Sequence, residues 1–340
     1  MRGTMLLPRV VNLLVTKSGG RRPPFDLHRI DPSGLFYPTG SPKPANPAPA
    51  TARLPSAAIS FDWSCPWQGY GFMDFMALNN DIVAVDHTGH TLIYDGASRA
   101  VRGMNQMIDP RRTSMSVTVR DALYVMDLRS EVHYFKVFSY GRPPPGHRRE
   151  EEWYWSRLGP PPLDPDDLPV RHRHPYAVSA YTVVGDSQIW MSIMGAGTYS
   201  FDVKNGVWSK AGEWALPFKD RAVYAPEHSL WFGFSASDGK LCAADMTQAT
   251  TAPALVHVWE EDLPPPEAWI PTGEHILPLG SGKFCVARLF RRIKRRNLRF
   301  ESIALLAGVE VVKDVGQGSL EMIKHKCKRY FFKDNEVKLL

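Results

Sequence analysis

The chain has 340 residues, 44% of them hydrophobic and 22% charged, with 41 Lys and Arg against 35 Asp and Glu for a formal net charge of +6. That apolar content is enough for a large core and excludes a disordered polyelectrolyte, and no run reaches the roughly 18 apolar residues of a membrane span. The cysteines, Cys65, Cys242, Cys285 and Cys327, stand too far apart for a Cys-x-x-Cys zinc or redox motif and read as reduced intracellular thiols.

Residues 1–25 carry Arg2, Arg9, Lys17, Arg21 and Arg22 and no acid, which is the composition of an organelle transit peptide. The competing reading makes residues 10–15 and 25–30 a pair of strands. Pro8, Arg9 and Asn12 interrupt the apolar stretch between Met5 and Val15, which argues against a secretory signal. Residues 39–58, rich in Pro, Ala and Ser, read as a linker.

A repeat follows. Short, apolar, strand-like segments at 82–86, 123–127, 189–193, 230–234 and 284–289 are each followed by a second strand-like segment, at 91–95, 132–137, 198–203, 241–245 and 300–306. The connectors have hairpin chemistry: Asp86-His87-Thr88-Gly89, Asp238-Gly239 and Gly280-Ser281-Gly282 supply residues that tolerate positive φ. Tyr199, Phe201 and Val203 alternate with polar neighbours, so one face of that segment is apolar. Asn205-Gly206 then turns the chain into Val207-Trp208.

Successive repeats start 41, 66, 41 and 54 residues apart, and Pro-rich insertions at 141–170 and 262–266 account for the long intervals. The insertion at 141–170 is expected to be removable, unless Trp153-Tyr154-Trp155 forms an outer strand. Several four-stranded units at this spacing predict an all-β propeller. An orphan strand signal at 320–325 pairs with that at 10–15 to complete a sixth, composite blade from both termini, because closure removes the open edge; an open or five-bladed assembly is the alternative. The expected divisions are N-terminal strands over 1–38, the linker, the propeller over 59–330 and a C-terminal tail over 331–340.

The chain also resembles a known family. Arg9-Val10-Val11-Asn12-Leu13, His28-Arg29-Ile30-Asp31, Leu35-Phe36-Tyr37-Pro38, Ala180-Tyr181-Thr182-Val183-Val184, Gly197-Thr198-Tyr199-Ser200-Phe201-Asp202, Gly212-Glu213-Trp214, Leu230-Trp231-Phe232-Gly233 and Met322-Ile323-Lys324-His325-Lys326 are similar to a plant family, expanded in grasses, of kelch-like proteins classed as a domain of unknown function. The resemblance runs over nearly the whole chain and implies the propeller. Tyr199 and Trp208 are spaced much like a kelch aromatic pair, but the adjacent-glycine doublet is missing, with Gly195-Ala196-Gly197 the nearest match. The family supplies no catalytic residue or substrate.

The candidate chemistry is sparse. His172 and His174, with His147 nearby in sequence, could hold a metal, but Arg171 and Arg173 crowd them with positive charge. Asp164, Asp166 and Asp167 lack the tight glycine turn of a calcium loop. Cys285 lies in an apolar strand and reads as inert core rather than a nucleophile. The sharpest charge run is Arg291, Arg292, Lys294, Arg295 and Arg296. It is expected to be an exposed hairpin connection; a nuclear-import signal or a phosphate-contacting patch is the competing reading. No catalytic, cofactor or metal residues are assigned. The expected function is a non-catalytic propeller scaffold for protein–protein interaction, monomeric, cytoplasmic or nuclear, with no membrane or nucleic-acid partner and no cofactor. An enzyme or small-ligand binder using the axial cavity is the alternative, because the fold hosts both.

Overall fold

The computed structural model describes residues 10–17, 23–42, 44, 48–63, 71–113, 115–127, 134–143, 150–163, 178–247, 251–259, 269–294, 299–313, 319–333 and 335–340. Among these residues the chain forms 25 β-strands, a short 3-10 helix at Pro32–Leu35 and no α-helix. It divides into two compact units, residues 1–62, 221–245 and 255–340 in one and 63–220 and 246–254 in the other.

The first unit opens with β1 (Val11–Thr16), β2 (Phe25–Ile30), β3 (Ala50–Thr51) and β4 (Ile59–Phe61). The second unit holds three runs of four antiparallel strands. One runs in the order β5 (Met73–Leu78), β6 (Asp81–Asp86), β7 (Thr91–Tyr94), β8 (Val101–Met104). The next joins β9 (Met115–Val119), β10 (Ala122–Asp127), β11 (Tyr134–Gly141) and β12 (Glu152–Leu158), and the third β13 (Val178–Val184), β14 (Gln188–Ile193), β15 (Gly197–Asp202) and β16 (Val207–Gly212). The second strand of each is mostly apolar and buried because both of its faces are covered. Ile82, Val83, Ala84 and Val85 of β6 are all buried, whereas Val207 on the outer strand β16 is 58% exposed.

Sheet packs on sheet through these strands. Val83 and Val85 meet Leu123, Val125 and Phe138 in one core; Met115, Val117 and Phe135 meet Ile189, Tyr199 and Phe201 in the next. Aspartates pin the turns. Asp86 accepts from the N–H groups of Thr88 and His90, and the N–H groups of Ser98 and Lys204 hold the Asp95 and Asp202 carboxyls below the usual range.

Back in the first unit, β17 (Phe218–Ala225), β18 (Leu230–Ser235), β19 (Leu241–Ala244) and β20 (Leu255–Val258) follow one another in order. Then come the longest strands, β21 (Ile270–Gly280), β22 (Lys283–Lys294), β23 (Arg299–Lys313) and β24 (Leu320–Lys333), with β3 added parallel to β24. The last strand, β25 (Val337–Leu339), pairs with β1, so the terminal sheet runs β25-β1-β2-β4. Val223, Phe232 and Phe234 pack on Phe284, Val286 and Val309, and Val11, Leu13 and Leu339 pack on Cys285, Ala287 and Leu306. Four-stranded antiparallel sheets stacked in this way are the module of the β-propeller, and the fold is all-β of that class.

Three expectations change. Residues 320–325 do not join β1; they begin β24, paired with β23, and the strand on β1 is Val337–Leu339. The expected tail over 331–340 therefore contains the end of one strand and all of another. Three residues alternating Val-Lys-Leu are too short to register as a strand in the sequence. The stretch 39–58 is more than a linker, since Ala50 and Thr51 pair with Lys328 and Arg329 and the Ala52 N–H donates to the Arg329 carbonyl at 2.9 Å. Residues 152–158, inside the supposedly removable insertion, form β12, where Trp153 and Trp155 lie 5.1 and 4.7 Å from the Phe138 ring.

Candidate interaction surface

The β21–β24 sheet carries the features that the rest of the fold does not use. Its strands reach 15 residues in β23, where the other sheets have strands of eight or fewer. One stretch of it is committed to the two cores of the first unit. Beyond them the strands run on, and register decides which side chains share a face. Ile270 lies opposite Arg291, Arg291 opposite Ser302 and Ile293 opposite Phe300. Directly opposed residues point to the same side, so Ile270, Arg291, Ile293 and Phe300 form one patch. Ile270 and Ile293 are 60% and 59% exposed. The Arg291 guanidinium lies 4.6 Å from the Phe300 ring centroid, and its Nε–H is shielded with no acceptor among the described residues.

The opposite face is more self-sufficient. Trp269, Phe290, Ile303, Leu305, Ala307 and Cys327 form a small buried cluster. Arg292 crosses it, 4.7 Å from the Trp269 ring and 2.6 Å from a carboxylate oxygen of Glu301. The expected exposed hairpin run is thus partly strand. Arg291 and Arg292 belong to β22, where each guanidinium lies over an aromatic ring, Phe300 and Trp269 respectively. Lys294 closes the same strand by its backbone. Its side chain, Arg295 and Arg296 lie outside the described residues, as do Cys65, His147, His172, His174, Asp164, Asp166 and Asp167. Sequence reasoning missed Ile270 and Ile293; their partnership exists only once the β21–β22–β23 register is known.

The ionisable groups of the interior are tied to structure. His325 is buried between the rings of Phe36 and Tyr37, whose centroids lie 4.9 and 6.0 Å away. The Tyr37 N–H donates to its Nδ1 at 3.1 Å, which leaves the ring proton on Nε2, 3.0 Å from Glu310. Both nitrogens are therefore engaged, and the ring fastens the segment after the 3-10 helix onto β24. Lys326 and Lys283 stand over Tyr37 and Phe36 at 5.0 and 5.5 Å. Burial pushes the Cys285 thiol up to about 12 and the Cys327 thiol up to about 11, so both stay protonated and poorly nucleophilic. Among the described residues no group of three His, Cys, Asp or Glu side chains could hold a metal ion, and no helix is long and apolar enough to cross a membrane.

Residues 8–330 match the family described as a protein of unknown function, DUF1668. The chain belongs to it. No curated protein matches this DUF1668 chain. Among solved structures it is similar to a candidate 6-phosphogluconolactonase from Bacteroides fragilis, with 10% identity, 95% of this chain and 98% of that one covered, and a TM-score of 0.43. It is also similar to the Cps50 (Swd1) β-propeller domain of Myceliophteria thermophila, with 8% identity, 74% and 72% covered and a TM-score of 0.38. The WD40 domain of SCAP from fission yeast matches with 10% identity, 79% and 69% covered and a TM-score of 0.32. At these values the likenesses carry no activity, substrate or partner to this chain.

Proposed function

We propose that this chain is a non-catalytic scaffold for protein–protein interaction, kelch-like in its repeat and a member of a plant family. The observation that supports the reading is a contrast between interior and surface. The buried His325 ring is engaged at both nitrogens, the buried Cys285 and Cys327 thiols are held protonated, and the buried Lys136 donates to the carbonyls of Ile108 and Asp109. Each is consumed by the fold, whereas catalysis needs a group left poised toward an open cavity. On the surface, Ile270 and Ile293 are more than half exposed beside Arg291 on one face at the end of the β21–β24 sheet. Exposed apolar groups gathered with cations mark a contact surface. Free thiols at Cys242, Cys285 and Cys327 fit a reducing cytoplasmic or nuclear setting.

The test is affinity purification of the tagged chain from plant cells, followed by reconstitution with the recovered protein. A direct complex formed by purified components is the expected result. A turnover shown by the purified chain and lost on His325→Gln or Glu310→Gln would replace the scaffold with an enzyme.

A further inference from the structure

We propose that the patch of Ile270, Arg291, Ile293 and Phe300 docks a short segment of a partner protein in which a carboxylate is flanked by aliphatic side chains. This deepens the scaffold reading and rests on it. The chemistry follows from what the patch presents. Arg291 has no carboxylate beside it among the described residues, while its neighbour Arg292 is neutralised by Glu301 at 2.6 Å. An incoming carboxylate would meet the Arg291 guanidinium already oriented by the Phe300 ring, so little side-chain entropy is lost on binding. The two flanking positions are apolar and accessible, at 60% exposure for Ile270 and 59% for Ile293. Covering them supplies the apolar area that a lone ion pair at a wet surface lacks.

The same features disfavour other occupants. A nucleic acid would need an open aromatic face for base stacking, and the Arg291 guanidinium covers one face of Phe300 at 4.6 Å. The side chains exposed beside it are aliphatic. A second copy meeting this patch through a two-fold axis would bring one Arg291 toward the other with no acid of the patch between them. The net charge of +6 also steers acidic partners toward the chain.

The experiment uses the full chain and a fluorescein-labelled short peptide of alternating leucine and glutamate as the probe, read by anisotropy. Saturable binding is expected. It should weaken at least about tenfold, or about 1.4 kcal/mol, in Arg291→Glu and again in Ile293→Ser. A matched leucine–lysine peptide should not bind. Both substitutions lie on an exposed face, and an unchanged melting temperature shows that each variant is folded. Binding by Arg291→Glu equal to that of the unaltered chain, absence of saturable binding, or tighter binding of an oligouridylate of similar length each overturns the proposal. A parallel purification from plant cells separates the two readings. Partner protein recovered equally by the unaltered chain and by Arg291→Glu removes the patch and leaves the scaffold; no direct partner for either removes both.

Discussion

At the residue scale, burial has set the chemistry of single groups, and Lys136 gives the clearest consequence. It sits on β11 at 4% exposure with its Nζ donating to Ile108 and Asp109 carbonyls at 2.7 and 2.5 Å. Desolvation is the main cause that lowers its pKa from 10.5 to about 8, with Arg111 adding to the drop and Asp127 opposing it. Below pH 8 the lysine is protonated whether the chain is folded or not. Between about 8 and 10.5 the unfolded chain keeps a proton that the folded chain has released. The unfolded state then binds more protons, so stability rises with pH across that window. Urea unfolding on either side of pH 8 should show this rise in the unaltered chain and a smaller one in Lys136→Met. Identical pH profiles for the two would mean that the lysine titrates normally. The variant should also be less stable at neutral pH, because two carbonyls of the β8–β9 connection lose their donor.

At the element scale, the outer strands separate what the sequence displays from what it hides. The inner strand pairs β6/β7, β10/β11, β14/β15, β18/β19 and β22/β23 were legible because both of their faces are buried and the apolar runs sit at hairpin spacing. The outer strands bury only part of one face, so their composition approaches that of loops. β12 is the instructive case, set among prolines and arginines yet bearing two tryptophans. Trp155 rests on Phe138 at 4.7 Å, and its indole N–H donates to Thr91 Oγ1 at 3.1 Å, tying the second sheet of its unit to the first. Trp155→Ala should cost about 2–3 kcal/mol, since the side chain is only half-buried. Removing residues 142–167 should cost more, and a chain so shortened that melts at the original temperature would return β12 to the status of a loop. The candidate surface obeys the same rule. Its charge was visible at Arg291 and Arg292, but Ile270 lies 21 residues earlier, and only strand register joins them.

At the scale of the whole molecule, the two ends of the chain share a sheet, and the last strand carries weight out of proportion to its length. β25 covers one edge of β1, with Leu13, Leu14 and Val15 opposite Leu339, Lys338 and Val337. Backbone bonds continue past the strand: the Leu340 N–H donates to the Asn12 carbonyl at 3.0 Å and the Thr16 N–H to the Glu336 carbonyl at 2.9 Å. Asn335 donates to the Thr16 carbonyl, and the Glu336 N–H to the Thr16 hydroxyl at 2.7 Å. Leu339 is buried in the core shared with Val11 and Leu13. Ending the chain after residue 334 would open the β1 edge, leave the Asn12 and Thr16 backbone groups without these partners and remove Leu339 from the core. The expected cost is of the order of 3 kcal/mol or more, with an added tendency to aggregate through the exposed edge. A synthetic peptide of residues 335–340 added to the truncated chain should restore part of the lost melting temperature, because the uncovered edge of β1 still presents the backbone donors and acceptors that pair with the strand. Unchanged melting on truncation would show that β1 is held by β2 alone. Lost stability that the peptide does not restore would show that β25 acts through its covalent link to β24 rather than through its own pairing.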